Sequence, residues 1–111
     1  MASTMNSNFT DPEDAKLETL ARATQRRTGS KQSAALRDST GRTYVAIDVS
    51  TPSFSVDCLA AVFTVAMASQ ISGIEAIVVV GDGSVNVALA REYAPNCLVW
   101  RIDKSGEIAK L

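Results

Sequence analysis

The sequence predicts an α/β fold: one layered domain in which a sheet of about five strands is flanked by helices. Three observations carry this. Ala76-Ile77-Val78-Val79-Val80 is a continuous apolar run, the pattern of a strand covered on both faces. Residues 56–68 are apolar on nearly every side, with Asp57 their only charge, the pattern of a helix buried on nearly every side. The predicted elements follow the order α-β-β-α-β-α-β-β, and strands separated by helices call for right-handed crossovers.

The totals fit a single domain. A chain of 111 residues with 46% hydrophobic residues can bury one core, and 21% charged residues keep its surface wet. The net charge of -1, from 11 basic and 12 acidic residues, gives no overall field to attract nucleic acid or an anionic membrane. No apolar signal core is visible at the N-terminus. No apolar run approaches the roughly 20 residues that span a bilayer. Cys58 and Cys97 make no disulfide framework. A cytoplasmic, reduced setting is expected. The chain has no histidine, so neither a Ser-His-Asp nor a Cys-His arrangement can be built within it. A zinc site would have only two cysteines and carboxylates to draw on.

The elements follow in order. Residues 1–9 are polar and read as a disordered or partly tag-derived tail, with residues 10–111 as the domain. Thr10-Asp11-Pro12-Glu13 reads as a capping box, with Thr10 as the cap and Pro12 in the first turn. The helix should run to about Arg27, with a thin apolar stripe of Leu17, Leu20 and Ala21. Arg22, Arg26, Arg27 and Lys31 form a small basic cluster, read first as a solvated helix end and second as a phosphate or RNA contact. Thr28-Gly29-Ser30 breaks the helix. A first strand is expected at Ala34-Ala35-Leu36, a turn at Asp38-Ser39-Thr40-Gly41, and a second strand from Thr43 to Val49. Thr51-Pro52-Ser53 ends that hairpin.

Ser55 is the expected cap of the central helix. One sheet face cannot cover a helix so apolar in so small a domain, so the remaining surface calls for another helix or another subunit. Ser72-Gly73 closes the helix. Residues 85–93 suit a short helix ended by Pro95, residues 97–102 a strand, and residues 107–111 a last edge strand. Gly81-Asp82-Gly83-Ser84 follows a strand and precedes a helix. It reads first as a plain turn and second as a remnant anion or ligand site at a helix start. Trp100 reads as core or interface, and Arg101 beside it as a possible stacking contact.

The chain resembles the cytidine deaminases. Ala34-Ala35-Leu36 followed by Thr40-Gly41-Arg42-Thr43-Tyr44-Val45 is similar to their first hairpin. The central helix, Glu75 to Asp82, Arg91-Glu92-Tyr93-Ala94-Pro95 and Gly106-Glu107-Ile108 follow in the family's order. The likeness covers roughly residues 13–111 and lies in order and spacing. Pro12-Glu13-Asp14-Ala15-Lys16-Leu17 is most like the short cytidine-deaminase-like proteins of actinobacteria. The resemblance implies a three-layer α/β/α sandwich with a mixed sheet, and a homodimer or homotetramer packed through the central helices.

It also implies chemistry that this chain lacks. In the family, a His or Cys opens the central helix, a Glu follows two positions later, and a Pro-Cys-x-x-Cys opens the next helix to complete a zinc site. With Cys58 as the first ligand, Ala60 stands in place of the Glu. In the alternative register, Val56 and Cys58 replace ligand and Glu. No Pro-Cys-x-x-Cys occurs near Val85-Asn86-Val87, and Cys97 comes too late to substitute. The family's sugar-binding Asn-x-Glu aligns with Asp48-Val49-Ser50. No catalytic residue, metal or cofactor is therefore expected. Cys58 reads as a small buried residue, with a reactive thiol as the alternative. The remnant cleft is expected to bring together Asp48, Ser50, Cys58, Asp82 and Ser84. The expected protein is a non-catalytic, homo-oligomeric interaction or ligand-binding module, with a nucleoside-like molecule as its ligand. It has no membrane partner, and nucleic acid is not an expected partner. A diverged nucleoside deaminase and an RNA-metabolism accessory protein are the alternatives.

Overall fold

Asp11, rather than Thr10, starts the first helix. Its Oδ1 accepts the Glu13 amide at 2.9 Å, and Pro12 occupies the first turn. Both residue types can cap, but the charged acceptor also gains from the helix dipole. The helix, α1 (Pro12–Thr28), ends on Gly29 at φ 70°, a left-handed cap that glycine adopts without strain. This computed structural model describes residues 9–111; residues 1–8 of the expected tail lie outside the described residues.

Two strands follow as a hairpin, β1 (Gln32–Asp38) and β2 (Thr43–Ile47), paired from Ser33 opposite Ile47 to Arg37 opposite Thr43. The strand expected to run on to Val49 breaks at Asp48. A separate small hairpin then forms from β3 (Val49–Thr51) and β4 (Phe54–Val56). Pro52 does end a ladder, but it does so by folding the chain back rather than by leading it into the helix. The rest of the chain gives α2 (Cys58–Ala68), β5 (Ile74–Gly81), α3 (Val87–Tyr93), β6 (Leu98–Ile102) and β7 (Ile108–Lys110).

The main sheet runs β2-β1-β5-β6-β7. Only β5 and β6 are parallel; every other neighbour pair is antiparallel. Because side chains alternate across a sheet, the central strands feed two cores. Ala35, Ala76, Val78, Val80 and Ile102 pack with Leu17 and Ala21 of α1. Ala34, Leu36, Ile77, Val79 and Val99 pack with Leu59, Val62 and Ala66 of α2 and Ala90 of α3. The fold is therefore the expected three-layer α/β/α sandwich around a mixed five-stranded sheet. The apolar run at 76–80 is covered on both faces, as its composition implies.

Three local expectations need correction. Asp57, not Ser55, caps α2: its Oδ1 accepts the Ala60 amide at 2.8 Å, while Ser55 lies within β4 opposite Ser50. The α2 surface is not buried on nearly every side within one chain, since Val65 is 45% exposed. α3 starts at Val87 rather than at residue 85, because Asn86 is held outside it by a bond from its amide to Asp57 Oδ2 at 3.2 Å. Trp100 is half-buried on the α1 face, where the Phe9 ring meets it edge-on at 5.5 Å. Among the described residues, no helix is long and apolar enough to cross a membrane.

Candidate functional site

Strands β5 and β6 end at Gly81 and Ile102, and open α/β sheets bind ligands outside such carboxyl ends. A polar hollow of about 450 Å³ lies beyond Gly81. Lys31 and Gln32 at the start of β1 form one wall. Asp48 and Ser50, from the segment after β2, form another. Ser55 and Asp57 lead into α2, and Gly83 and Ser84 lie on the β5–α3 loop. A hollow of similar volume near Phe9, Asp14, Trp100 and Glu107 belongs to the N-terminal end of α1.

Of the five residues expected in the cleft, Asp48, Ser50 and Ser84 line the hollow together. Cys58 does not line it: the residue is fully buried in the core between α2 and the sheet. Asp82 does not line it either, and its carboxylate pairs with Lys104 Nζ at 2.8 Å. The basic cluster is divided in role. Arg22 is paired with Glu18 at 2.7 Å on α1, and Lys31 lines the hollow. Arg101 donates from Nη2 to the Gly81 carbonyl at 2.8 Å.

The residue that organises the cleft is Gln32, which the sequence reading passed over. Gln32 shares a strand face with Ala34 and Leu36, which point toward α2. Its register opposite Gly81 brings it to the mouth of β5. Its side chain is accordingly buried between the α2 N-terminus and the β5–α3 loop. Oε1 accepts the Cys58 amide at 2.7 Å. Nε2 donates to the Asp82 carbonyl at 2.7 Å and leans toward the Gly83 carbonyl at 3.4 Å. The Gln32 amide in turn donates to Asp48 Oδ1 at 3.2 Å. The visible signal was a glutamine in phase with the apolar residues of a strand.

The glycines of Gly81-Asp82-Gly83-Ser84 are explained by this packing. Both have φ of 97°, a conformation that favours glycine. A Cβ at Gly81 would come within 2.2 Å of the Lys31 carbonyl oxygen, and one at Gly83 within 3.1 Å of Gln32 Nε2. The loop is shaped to receive the Lys31-Gln32 segment.

The zinc implied by the fold does not fit these residues. Among the described residues, no group of three His, Cys, Asp or Glu side chains could hold a metal ion. The two cysteines also sit at opposite ends of the sheet. Cys97 precedes Leu98, which pairs with Ala76, whereas Cys58 is tied to Gln32, which pairs with Gly81. Five residues of strand separate those register positions by about 16 Å. Ala60 and Cys58, which stand at the expected proton-shuttle position in the two registers, offer no carboxylate there. Burial pushes the Cys58 thiol up to about 12, with the Asp57 and Asp48 carboxylates adding to the effect. It is a packed thiol rather than a thiolate nucleophile.

The chain belongs to the cytidine deaminase-like family, whose sequence model matches residues 10–106. No curated protein matches it. Among solved structures, it is similar to the cytidine deaminase of Burkholderia pseudomallei, with a TM-score of 0.73 at 18% identity over 87% of this chain and 90% of that one. The cytidine deaminase of Mycobacterium leprae superposes with a TM-score of 0.65 at 17% identity, over 86% of this chain and 91% of that one. The cytidine deaminase of Bacillus anthracis gives 0.63 at 12% identity, over 91% and 83%. At these identities the likeness is one of fold.

Proposed function

We propose that this chain is a non-catalytic member of its family: a self-associating module that takes a small, polar, nucleoside-like ligand into the hollow without transforming it. The observation that carries the reading is the Gln32 side chain. It occupies the space between the α2 N-terminus and the β5–α3 loop with its own hydrogen bonds, and among the described residues no donor set fits a metal. The hollow outside it still offers the Ser50, Ser55 and Ser84 hydroxyls, Asp48 and Lys31, which are groups suited to hydroxyl-bearing ligands. Self-association is supported by the outer face of α2, where Val65 is exposed. A cytoplasmic setting belongs to the same reading.

The test is to measure melting temperature with cytidine, uridine or adenosine, alongside metal content and nucleoside turnover. Stabilisation without turnover, in protein free of zinc, is the expected result. Stoichiometric zinc with cytidine turnover would replace this reading by a diverged deaminase. Salt-sensitive retention on RNA, lost with Arg26→Ala and Arg27→Ala, would favour an RNA accessory role.

A further inference from the structure

We infer that Gln32, itself part of one wall of the cleft, is the tie that holds two other walls together, doing with a carboxamide what a bound ion would do by coordination. The walls are the N-terminus of α2 and the loop leading into α3, and they come from separate parts of the chain. Gln32 belongs to neither. It reaches them from β1, 26 residues before Cys58 and 50 before Asp82.

A glutamine side chain has one acceptor oxygen and a two-hydrogen donor, so it can bridge an amide on one side and a carbonyl on the other. Both ends are used here at 2.7 Å, and the residue is only 3% exposed. The Cys58 amide belongs to the first turn of α2, where a helix leaves its amides without internal acceptors. Cys58 is fully buried, so water cannot take Gln32's place there without opening the core.

The surroundings are fitted to this contact. Gly83 leaves room for Nε2, because a Cβ there would crowd it at 3.1 Å. Asp48 fixes the Gln32 backbone from the opposite side. Asp57 adds a second tie between the same walls, capping α2 through Oδ1 and accepting the Asn86 amide through Oδ2. The cleft is thus assembled by the chain alone, and its deep end is closed. Only the outer hollow is left for a ligand.

Hydrogen exchange on ligand-free protein tests this. Gln32→Met keeps much of the side-chain volume and removes both bonds. It should speed exchange of the Cys58 amide by roughly tenfold or more relative to the β1–β5 ladder amides. Gln32→Glu keeps the acceptor for the Cys58 amide but sets an oxygen against the Asp82 carbonyl. It should loosen residues 82–86 while leaving the Cys58 amide the better protected of the two walls. A strong chelator should leave wild-type melting unchanged. Cys58 exchange that moves only in step with the ladder in Gln32→Met would overturn the inference, as would a chelator-induced fall in melting temperature. The inference requires no occupant in the hollow, so failed nucleoside binding would leave it standing, and its own failure would leave that binding open to the separate test.

Discussion

Arg37 reaches from β1 to Asp14 on α1, its Nη2 lying 3.0 Å from the Asp14 carboxylate, with both side chains less than a tenth exposed. Its Nε also donates to Glu75 on the neighbouring strand at 2.7 Å. Burial works against the Arg37 charge, and the two carboxylates more than offset it, leaving its pKa raised. Removing Asp14 would leave the buried Arg37 charge with Glu75 as its one carboxylate partner, and that side chain is half-exposed. Asp14→Ala should therefore cost about 3 kcal/mol in urea unfolding. The joint replacement of Asp14 by Leu and Arg37 by Met should recover much of that loss.

Asp38 governs acid stability at the β1–β2 turn. Its Oδ1 accepts from the Thr40 amide, the Thr40 hydroxyl and the Arg42 amide, and its Oδ2 accepts from the Tyr44 hydroxyl. Burial alone would raise its pKa, but these bonds prevail and hold it below the ordinary value. A depressed folded-state pKa contributes stability that is present above the unfolded value, about 3.9, and is lost as pH falls through the folded one. Melting curves from about pH 5 down to about pH 2 should show this loss in the wild type. They should show a shallower slope in Asp38→Asn, and identical slopes would rule out the role.

Thiol chemistry separates a packed Cys58 from a reactive one. With its pKa pushed up to about 12 from 9.0, the folded protein should hold roughly a thousandfold less thiolate at Cys58 than an ordinary cysteine. Iodoacetamide at about pH 8 should label this residue only after unfolding, as read by peptide mass. Rapid native labelling would contradict the burial.

The two faces of α2 should respond differently to substitution. Leu59 is fully buried against the sheet, so Leu59→Ala should cost about 3 kcal/mol of stability. Val65 lies on the exposed side. Val65→Asp should leave the fold of one chain nearly as stable while shifting sizing chromatography toward the monomer. A wild-type chain that already elutes as a monomer would remove the basis for self-association.

The layered architecture was legible because its signals are strong and local. The apolar run at 76–80 and the apolar helix that follows Asp57 each admit few placements. The caps were misassigned because Thr10 and Asp11, like Ser55 and Asp57, are rival acceptors within two residues of each other. Only the backbone path decides between them. Gln32 was missed for another reason. A strand beginning at Ala34 looked sufficient, and a glutamine's purpose emerges only when the Cys58 amide and the Asp82 carbonyl are brought beside it. Cys58 is the small buried residue the sequence implies, whereas the Asp82 carboxylate turns to Lys104 rather than into the cleft. The misfit to zinc was readable without a structure, since a chain with no histidine and two distant cysteines has few ways to coordinate an ion.

Strand β1 sits between β2, its immediate successor, and β5, which begins 36 residues after β1 ends. The first pairing is local; the second must wait. During synthesis, the nascent hairpin therefore presents one open edge until the chain as far as Gly81 has left the ribosome. Closing that edge is a long-range step of the kind that slows folding. Substitutions in β5 should accordingly be felt in the yield of folded protein before they are felt in its function.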